Sequence, residues 1–161
     1  MLYPKITFYI FLISLSHSVW SLPSDKDQPI RLTADSADID EGKEISIYKG
    51  NVNVLQGSIK LIAKKVTVVH PNRRAKRIIA IGNVFFSQKK LNGETIRAKA
   101  NKARFEVESE FLELTGNASL TQAGDTMKSD RIIYDRVKHK VKAGNAAKGK
   151  ERVQITIQPN D

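Results

Sequence analysis

The sequence predicts an all-β protein, a single domain of roughly fifteen bent antiparallel strands in a jelly-roll or a solenoid. Three observations support this fold class. The dipeptide Gly-Asn recurs along the chain, the segments on both sides of it alternate apolar with polar residues, and the alternation changes phase at the same place in each copy. A near-constant period of this size indicates a stacked array rather than a flat sheet.

The Gly-Asn pairs begin at Gly50, Gly82, Gly116 and Gly144, so they are 32, 34 and 28 residues apart. Glycine and asparagine are the residues that most readily adopt positive φ. Each pair therefore predicts a tight reversal or a bulge between strands. The fourth copy is degenerate, as a terminal repeat can be.

One alternating segment follows each pair and another precedes it. The apolar positions of the following segments are Val52 and Val54, Val84 and Phe86, and Ala118 and Leu120. Those of the preceding segments are Ile30, Leu32 and Ala34, then Ile59, Leu61 and Ala63, then Ile96, Ala98 and Ala100, and more weakly Met127 and Ser129. Such alternation is typical of strands with one apolar face.

The alternation in each preceding segment then jumps by three residues, as from Ala63 to Val66, before it resumes. A three-residue step keeps both halves facing the same side only if the strand bends or bulges there. Each repeat therefore turns a corner. The residues directly after the last apolar position are interpreted as polar corner residues: Asp35, Lys64, Asn101 and Asp130.

A helix is an alternative for one stretch. Its apolar positions, spaced by three or four residues, are Ile96, Ala100, Ala103, Val107, Phe111 and Leu114. This spacing is typical of an amphipathic helix. Equivalent segments elsewhere carry β-branched residues in alternation, as at 66–69. Because repeats normally share one structure, we predict strand over 96–114.

The first 21 residues have the composition of a secretory signal, with Lys5, an apolar run over 6–15, and then small or polar residues. Val19 and Ser21 suit a peptidase, which predicts cleavage between Ser21 and Leu22. One domain of 140 residues (161 minus 21), residues 22–161, would remain. The alternative is an uncleaved anchor, but polar residues interrupt the run well before the roughly 20 apolar residues of a membrane span.

Composition restricts the function classes. The chain has no cysteine, which excludes thiol catalysis and cysteine-ligated metals. Its charge of +10, or +9 without Lys5, favours anionic partners, but an exported protein rarely meets nucleic acid. His70 and His139 have no acidic or second histidine neighbour in sequence, and no nucleotide-binding Gly-x-x-x-x-Gly-Lys motif occurs. We therefore expect no enzyme, no metal, no cofactor and no nucleic-acid partner.

Three stretches resemble the OstA-like family: Gln28-Pro-Ile30, residues 59–69, and above all Phe111-Leu-Glu-Leu-Thr-Gly-Asn-Ala118. The resemblance covers residues 27–141. It implies a periplasmic β-jelly-roll shaped like an open taco, the β-taco, with a groove for the acyl chains of lipopolysaccharide. It further implies that copies join head to tail into a bridge from the inner to the outer membrane. The implied partners are lipid A, further copies, and OstA-like proteins at both membranes.

If the phase jumps bend each repeat inward, the groove is lined by eighteen apolar residues. They are Ile30, Leu32, Ile39, Val52, Val54, Ile59, Leu61, Val66, Val68, Val84, Phe86, Phe105, Val107, Leu112, Leu114, Leu120, Ile132 and Tyr134. From the alternation alone, these residues could equally fill a closed core. The resemblance favours the groove, because in that fold the core is the groove.

A basic loop follows the segment 59–69. Candidate contacts for headgroup phosphates are Arg73, Arg74, Lys76 and Arg77, in a loop more basic than the family implies. They could also be ordinary solvated residues.

Unpaired edges are expected around residues 30–34 and 134–141, so that a proline at Val137 should block self-assembly. Two alternatives stay open: a membrane-anchored partner of the same bridge, or a basic periplasmic module that binds polyanions.

Overall fold

The computed structural model describes residues 25–159, and the predicted cleavage site lies outside them. Ten strands form one antiparallel sheet in the order β1-β3-β4-β5-β6-β7-β8-β10, with β2 beside β3 and β9 beside β8. The strands are β1 Arg31–Thr33, β2 Ser36–Asp40, β3 Ile45–Gln56, β4 Ile59–Val69, β5 Arg77–Lys89, β6 Thr95–Glu106, β7 Phe111–Gln122, β8 Asp125–Asp135, β9 Lys140–Ala143 and β10 Gln154–Thr156. Short 3-10 helices span Asp25–Asp27, Pro71–Arg73 and Gly144–Ala147. The all-β prediction is confirmed.

The number of strands is smaller than the roughly fifteen expected from the repeat. The six central strands, β3 to β8, are 11 to 13 residues long. Each continues through its bend without interruption. Segments on either side of a corner, which the alternation treats as two strands, are therefore halves of one strand.

The first three Gly-Asn pairs lie inside β3, β5 and β7 and do not connect strands. At each pair the register with the neighbouring strand shifts, as between Lys49 and Val52 or between Thr115 and Ala118. Gly116 has a φ of 76° and Asn117 one of 49°. The bulge is confirmed, but its predicted place between strands is wrong. The fourth pair opens the 3-10 helix Gly144–Ala147.

Three of the polar corner residues, Asp35, Lys64 and Asn101, face the glycine of a Gly-Asn pair on the neighbouring strand. A Cβ on Gly50 would meet the Asp35 carboxylate at 2.1 Å, and one on Gly82 would meet the Lys64 side chain at 2.9 Å. The Asp35 N–H donates to the Gly50 carbonyl at 3.0 Å. Two residues on the odd-numbered strand thus oppose one on its partner, which is the arrangement of a bulge. The three-residue step and the Gly-Asn pair are the two sides of the same corner.

Residues 96–114 are strand, as predicted, apart from the tight turn at 107–110 that joins β6 to β7. Ala103 pairs with Leu114, and Phe105 pairs with Leu112. The inward-facing residues of a strand are two or four residues apart, and they are three apart across the bulge. A bulged strand therefore also produces spacings of three and four. The helical pattern is therefore a consequence of the corner.

The corners divide the sheet into two arms. Arm A contains β1, β10, the second halves of β3, β5 and β7, and the first halves of β4, β6 and β8. Arm B contains β2, β9 and the remaining halves. The inner row of arm A is Leu32, Val54, Leu61, Phe86, Ala98, Leu120, Met127 and Ile155. The inner row of arm B is Ile39, Ser46, Val68, Ile78, Phe105, Leu112, Tyr134 and Val141. Buried residues of both arms form one apolar cluster.

Both ends of the sheet have strands paired on one side. Strands β1 and β2 pair with β3 alone, and β9 and β10 pair with β8 alone. The expected edge at residues 30–34 is therefore present as β1. At the other end Tyr134 belongs to β8 and is covered by β9, so the edge begins at Lys140. Val137 lies in the turn between β8 and β9, and a proline there would not remove an edge N–H group.

Candidate lipid-binding groove

A narrow groove with a cavity volume of about 60 Å³, partly open to solvent, lies between the two arms. Arm A contributes side chains from the hairpin between β3 and β4 and from the second half of β5, and arm B contributes side chains from β5 to β7. The lining residues are Ile30, Val54, Gln56, Ile59, Leu61, Ile78, Ala80, Phe86, Ala103, Phe105, Leu112 and Arg136. Ten of these twelve side chains are apolar, so the groove suits hydrocarbon.

The structure divides the eighteen predicted groove residues into several groups. Those that line the groove are Ile30, Val54, Ile59, Leu61, Phe86, Phe105 and Leu112. Those buried elsewhere in the core are Val52, Val66, Val84, Leu114, Leu120, Ile132 and Tyr134. Leu32 and Val68 pack against that core while partly exposed. Ile39 is exposed at the edge strand β2, and Val107 lies in the turn after β6.

Sequence reasoning missed five lining residues: Gln56, Ile78, Ala80, Ala103 and Arg136. Ile78 and Ala80 belong to an uninterrupted apolar run over 78–81, which offers no alternation from which a face could be assigned. Ala103 is the first apolar residue after a three-residue step in the alternation, and that step could have identified it as an inward-facing residue. Arg136 follows β8 in a polar turn, and nothing in the sequence separates it from the other basic residues.

The basic loop lies at the free end of arm B. Arg73, Arg74 and Lys76 are exposed there, and the Arg73 Nε is 3.7 Å from the Glu41 carboxylate. Arg77 belongs to β5 and alternates with Ile78, so it points to the outer face, where its Nε donates to Glu106 at 2.5 Å. Of the four predicted headgroup contacts, three therefore lie on the rim and Arg77 lies on the outside of the sheet.

Arg136 is the charged member of the groove lining. Its side chain is 12% exposed, and its guanidinium carbon lies 5.4 Å from the centre of the Phe105 ring. The Arg136 Nη1 is 3.8 Å from a carboxylate oxygen of Glu110, and the Arg136 backbone N–H donates to the Glu110 carbonyl at 3.3 Å. A cation over an aromatic face is a favourable contact.

Other polar groups have structural roles. The buried Ser46 hydroxyl is hydrogen-bonded to His70 Nε2 at 2.8 Å, which satisfies two polar groups beside an apolar row. The Lys150 backbone N–H, which donates to Asp130, holds the pKa of that carboxyl below its ordinary value. Among residues 25–159, no group of three or more His, Asp or Glu side chains is placed to hold a metal ion.

Charged residues on the outer face of arm B pair with one another. Arg104 Nη2 lies 2.6 Å from a carboxylate oxygen of Glu113, and Arg131 pairs with the same carboxylate. Arg104 is on β6 one residue before Phe105 and therefore on the opposite face from the groove. The helices among the described residues are all too short to cross a membrane.

Residues 31–140 match the model of a protein family described as "LptA/(LptD N-terminal domain) LPS transport protein". This match covers most of the chain. The protein belongs to this family of lipopolysaccharide transport proteins. The identification agrees with the resemblance of the Phe111–Ala118 stretch and of the other two stretches in the sequence.

Two relatives and one solved structure show how far the likeness to this family extends. The chain is 35% identical to the lipopolysaccharide export system protein LptA of Haemophilus influenzae over 161 residues, 97% of this chain and 92% of that protein. It is 31% identical to the export system protein LptH of Pseudomonas aeruginosa over 147 residues, 86% of this chain and 84% of that protein. A crystal structure of LptH, described as the periplasmic component of a lipopolysaccharide transport device, matches with a TM-score of 0.77 at 29% identity. That match covers 85% of this chain and all of the LptH chain.

Proposed function

We propose that this member of the family works in the periplasm, where it holds the acyl chains of lipid A in the groove between the arms and transports lipopolysaccharide towards the outer membrane. The observation that carries the proposal is the apolar lining contributed by both arms, with Phe86 on one and Phe105 on the other. The role requires no catalytic group. Cleavage of the signal after Ser21 would release the domain from the inner membrane.

An apolar groove that encloses an acyl chain can supply the free energy of binding. Burying one methylene is worth about 0.8 kcal/mol, so a single fourteen-carbon chain gains on the order of 10 kcal/mol on leaving water. A closed pocket with this affinity would release its ligand slowly. Passage between equivalent grooves exchanges like for like and needs little net free energy. Because the sequence has no nucleotide-binding motif, a partner would drive the movement.

The inner rows support a groove that continues from one copy to the next. Each inner row runs across the sheet to edge strands, and one end member of each row is more than half exposed. Ile39 on β2 is 56% exposed, and Ile155 on β10 is 57% exposed, at opposite ends of the sheet. Edge strands can pair with another chain. We propose head-to-tail pairing of copies, and pairing of terminal copies with OstA-like partners at the two membranes.

A photo-crosslinking amino acid in place of Phe86 or Phe105 tests the groove. Because both side chains line it, each variant should become covalently labelled with lipopolysaccharide in living cells. Phe85 is a matched control, since the same strand turns it to the outer face beside Lys99. Label at Phe85 equal to that at Phe86, or no label at either groove position, would count against the proposal.

Aspartate substitutions at the edges test the assembly. Ile39→Asp and Ile155→Asp place a charge where the apolar row would meet a neighbouring copy, and each should reduce the oligomer mass measured by light scattering. Leu91→Asp is the control, because Leu91 is 89% exposed and lies in the turn between β5 and β6, in the middle of the sheet. An unchanged oligomer in both edge variants would refute head-to-tail pairing through these strands.

A further inference from the structure

The groove lining contains one charged side chain within the described part of the chain, that of Arg136. Its guanidinium lies over the Phe105 ring, and Ile78 and Leu112 line the same groove. A guanidinium in such surroundings has lost most of its hydration, which is costly unless charge and hydrogen bonds replace the water. A groove that served acyl chains alone would be expected to exclude this group.

The ion pair between Arg136 and Glu110 is long. The Glu110 carboxylate, the ion-pair partner of Arg136, lies 3.8 Å away, beyond the 2.7–3.2 Å of a hydrogen bond. The Phe105 ring covers one face of the guanidinium and accepts no strong hydrogen bond. The planar fork of N–H donors is suited to a phosphate or carboxylate, which it can bind with two parallel hydrogen bonds.

Arg136 is also at a suitable place for a headgroup. It lies at the rim of arm B, where the turns between strands are hydrogen-bonded to one another. The Val107 N–H donates to the Lys76 carbonyl at 3.0 Å, and the Arg136 N–H donates to the Glu110 carbonyl. The basic residues of the 71–76 loop at this rim are exposed. Arg136 instead extends inward to the same space as Ile59 and Phe105.

We infer that Arg136 binds the anionic group of an acylated ligand, a phosphate or a carboxylate, at the rim of arm B. The hydrocarbon chain of that ligand then passes Phe105 and lies against Ile59 and Leu61. The inference rests on the proposed function and adds to it the position and charge of the ligand's headgroup. Glu110 competes with the ligand for the guanidinium, so it weakens binding of anions without affecting uncharged ligands.

Displacement of a fluorescent acyl probe from the full-length mature protein tests the inference. The competing ligands are dodecyl phosphate, dodecanoate and 1-dodecanol, which share one chain length and differ in headgroup. The wild type should prefer at least one anion to the alcohol by about ten- to a hundredfold, the range expected of hydrogen bonds to a charged group. The preferred anion identifies the headgroup.

Arg136→Gln should abolish that preference by weakening the binding of the anion far more than that of 1-dodecanol, and Arg136→Lys should restore part of it. The control Arg104→Gln removes a cation from the outer face and should change nothing. Glu110→Gln should increase the affinity for the anion alone, a result that a merely structural role of Arg136 would not produce.

The outcomes separate this inference from the proposed function. Equal binding of anions and alcohol by the wild type overturns the role of Arg136 while the acyl groove stands. A preference that survives Arg136→Gln, or weaker anion binding by Glu110→Gln, also overturns it. Failure of all three ligands to displace the probe overturns the groove itself and the inference with it.

Discussion

Gly116→Ala should destabilise the fold by more than a substitution of glycine at positive φ ordinarily does. Gly116 has a φ of 76°, and a Cβ there would lie 2.8 Å from Asn101 Nδ2 and 3.1 Å from Asn101 Cβ. The backbone term for an L-residue in this region is about 1–2 kcal/mol. Overpacking against the corner adds on the order of 1–3 kcal/mol. The expected loss is therefore roughly 2–5 kcal/mol.

Gly93→Ala separates the two contributions. Gly93 has a φ of 85°, and a Cβ there would meet nothing within 4 Å, so the variant should lose only the backbone term of about 1–2 kcal/mol. The free energy of unfolding from urea titrations, monitored by circular dichroism, measures both losses. Asn101→Gly combined with Gly116→Ala should recover the contact term in a double-mutant cycle. Equal losses in the two alanine variants, with no coupling to Asn101, would refute the close approach at the corner.

Two further predictions concern the core and the C-terminal corner. Leu114→Ala should cost about 2–5 kcal/mol in the same titrations, because Leu114 is completely buried, whereas Leu91→Ala, at a side chain 89% exposed, should cost under about 0.5 kcal/mol. Similar losses in these two variants would contradict the assigned core. Asp130→Asn should be less stable than the wild type at pH 7 and more nearly equal to it at pH 3. The Lys150 N–H lowers the folded-state pKa of Asp130, so the carboxylate stabilises the fold above its unfolded pKa near 3.8 and this is lost as pH falls through the folded value. An unchanged difference in urea midpoint between pH 7 and pH 3 would contradict this linkage.

Local patterns were sufficient to predict which segments are extended and where they bend, but not that the two segments at a bend are halves of one strand. The alternation at Val52 and Val54, or at Ile59 and Leu61, reports which side of a strand is apolar, because side chains alternate across a strand with period two. The three-residue step at Ala63 and Val66 reports a bend for the same reason. Both signals depend only on residues that are close in sequence, so they can be recognised without knowing which strands pair.

The same patterns could not separate a lining residue from a core residue. Val66 and Phe86 both lie on the inner side of bent strands, yet Val66 is sealed within the core while Phe86 borders the groove. Which of the two occurs depends on how far apart the opposing arms lie at that level. That separation is set by side chains from distant strands, so it does not appear in the alternation of either strand.

The sequence by itself determined an all-β chain with one apolar side, repeated bends and a family whose members transport lipopolysaccharide, because periodicity and short motifs are local properties. The tertiary structure decided that the Gly-Asn pairs are bulges within strands, that ten strands form one sheet, and that Arg136 extends into the groove. These facts depend on which strands pair and on which side chains face one another across the two arms. Contacts between distant residues, such as Asn101 beside Gly116 or Arg136 over Phe105, exist only after the chain has folded.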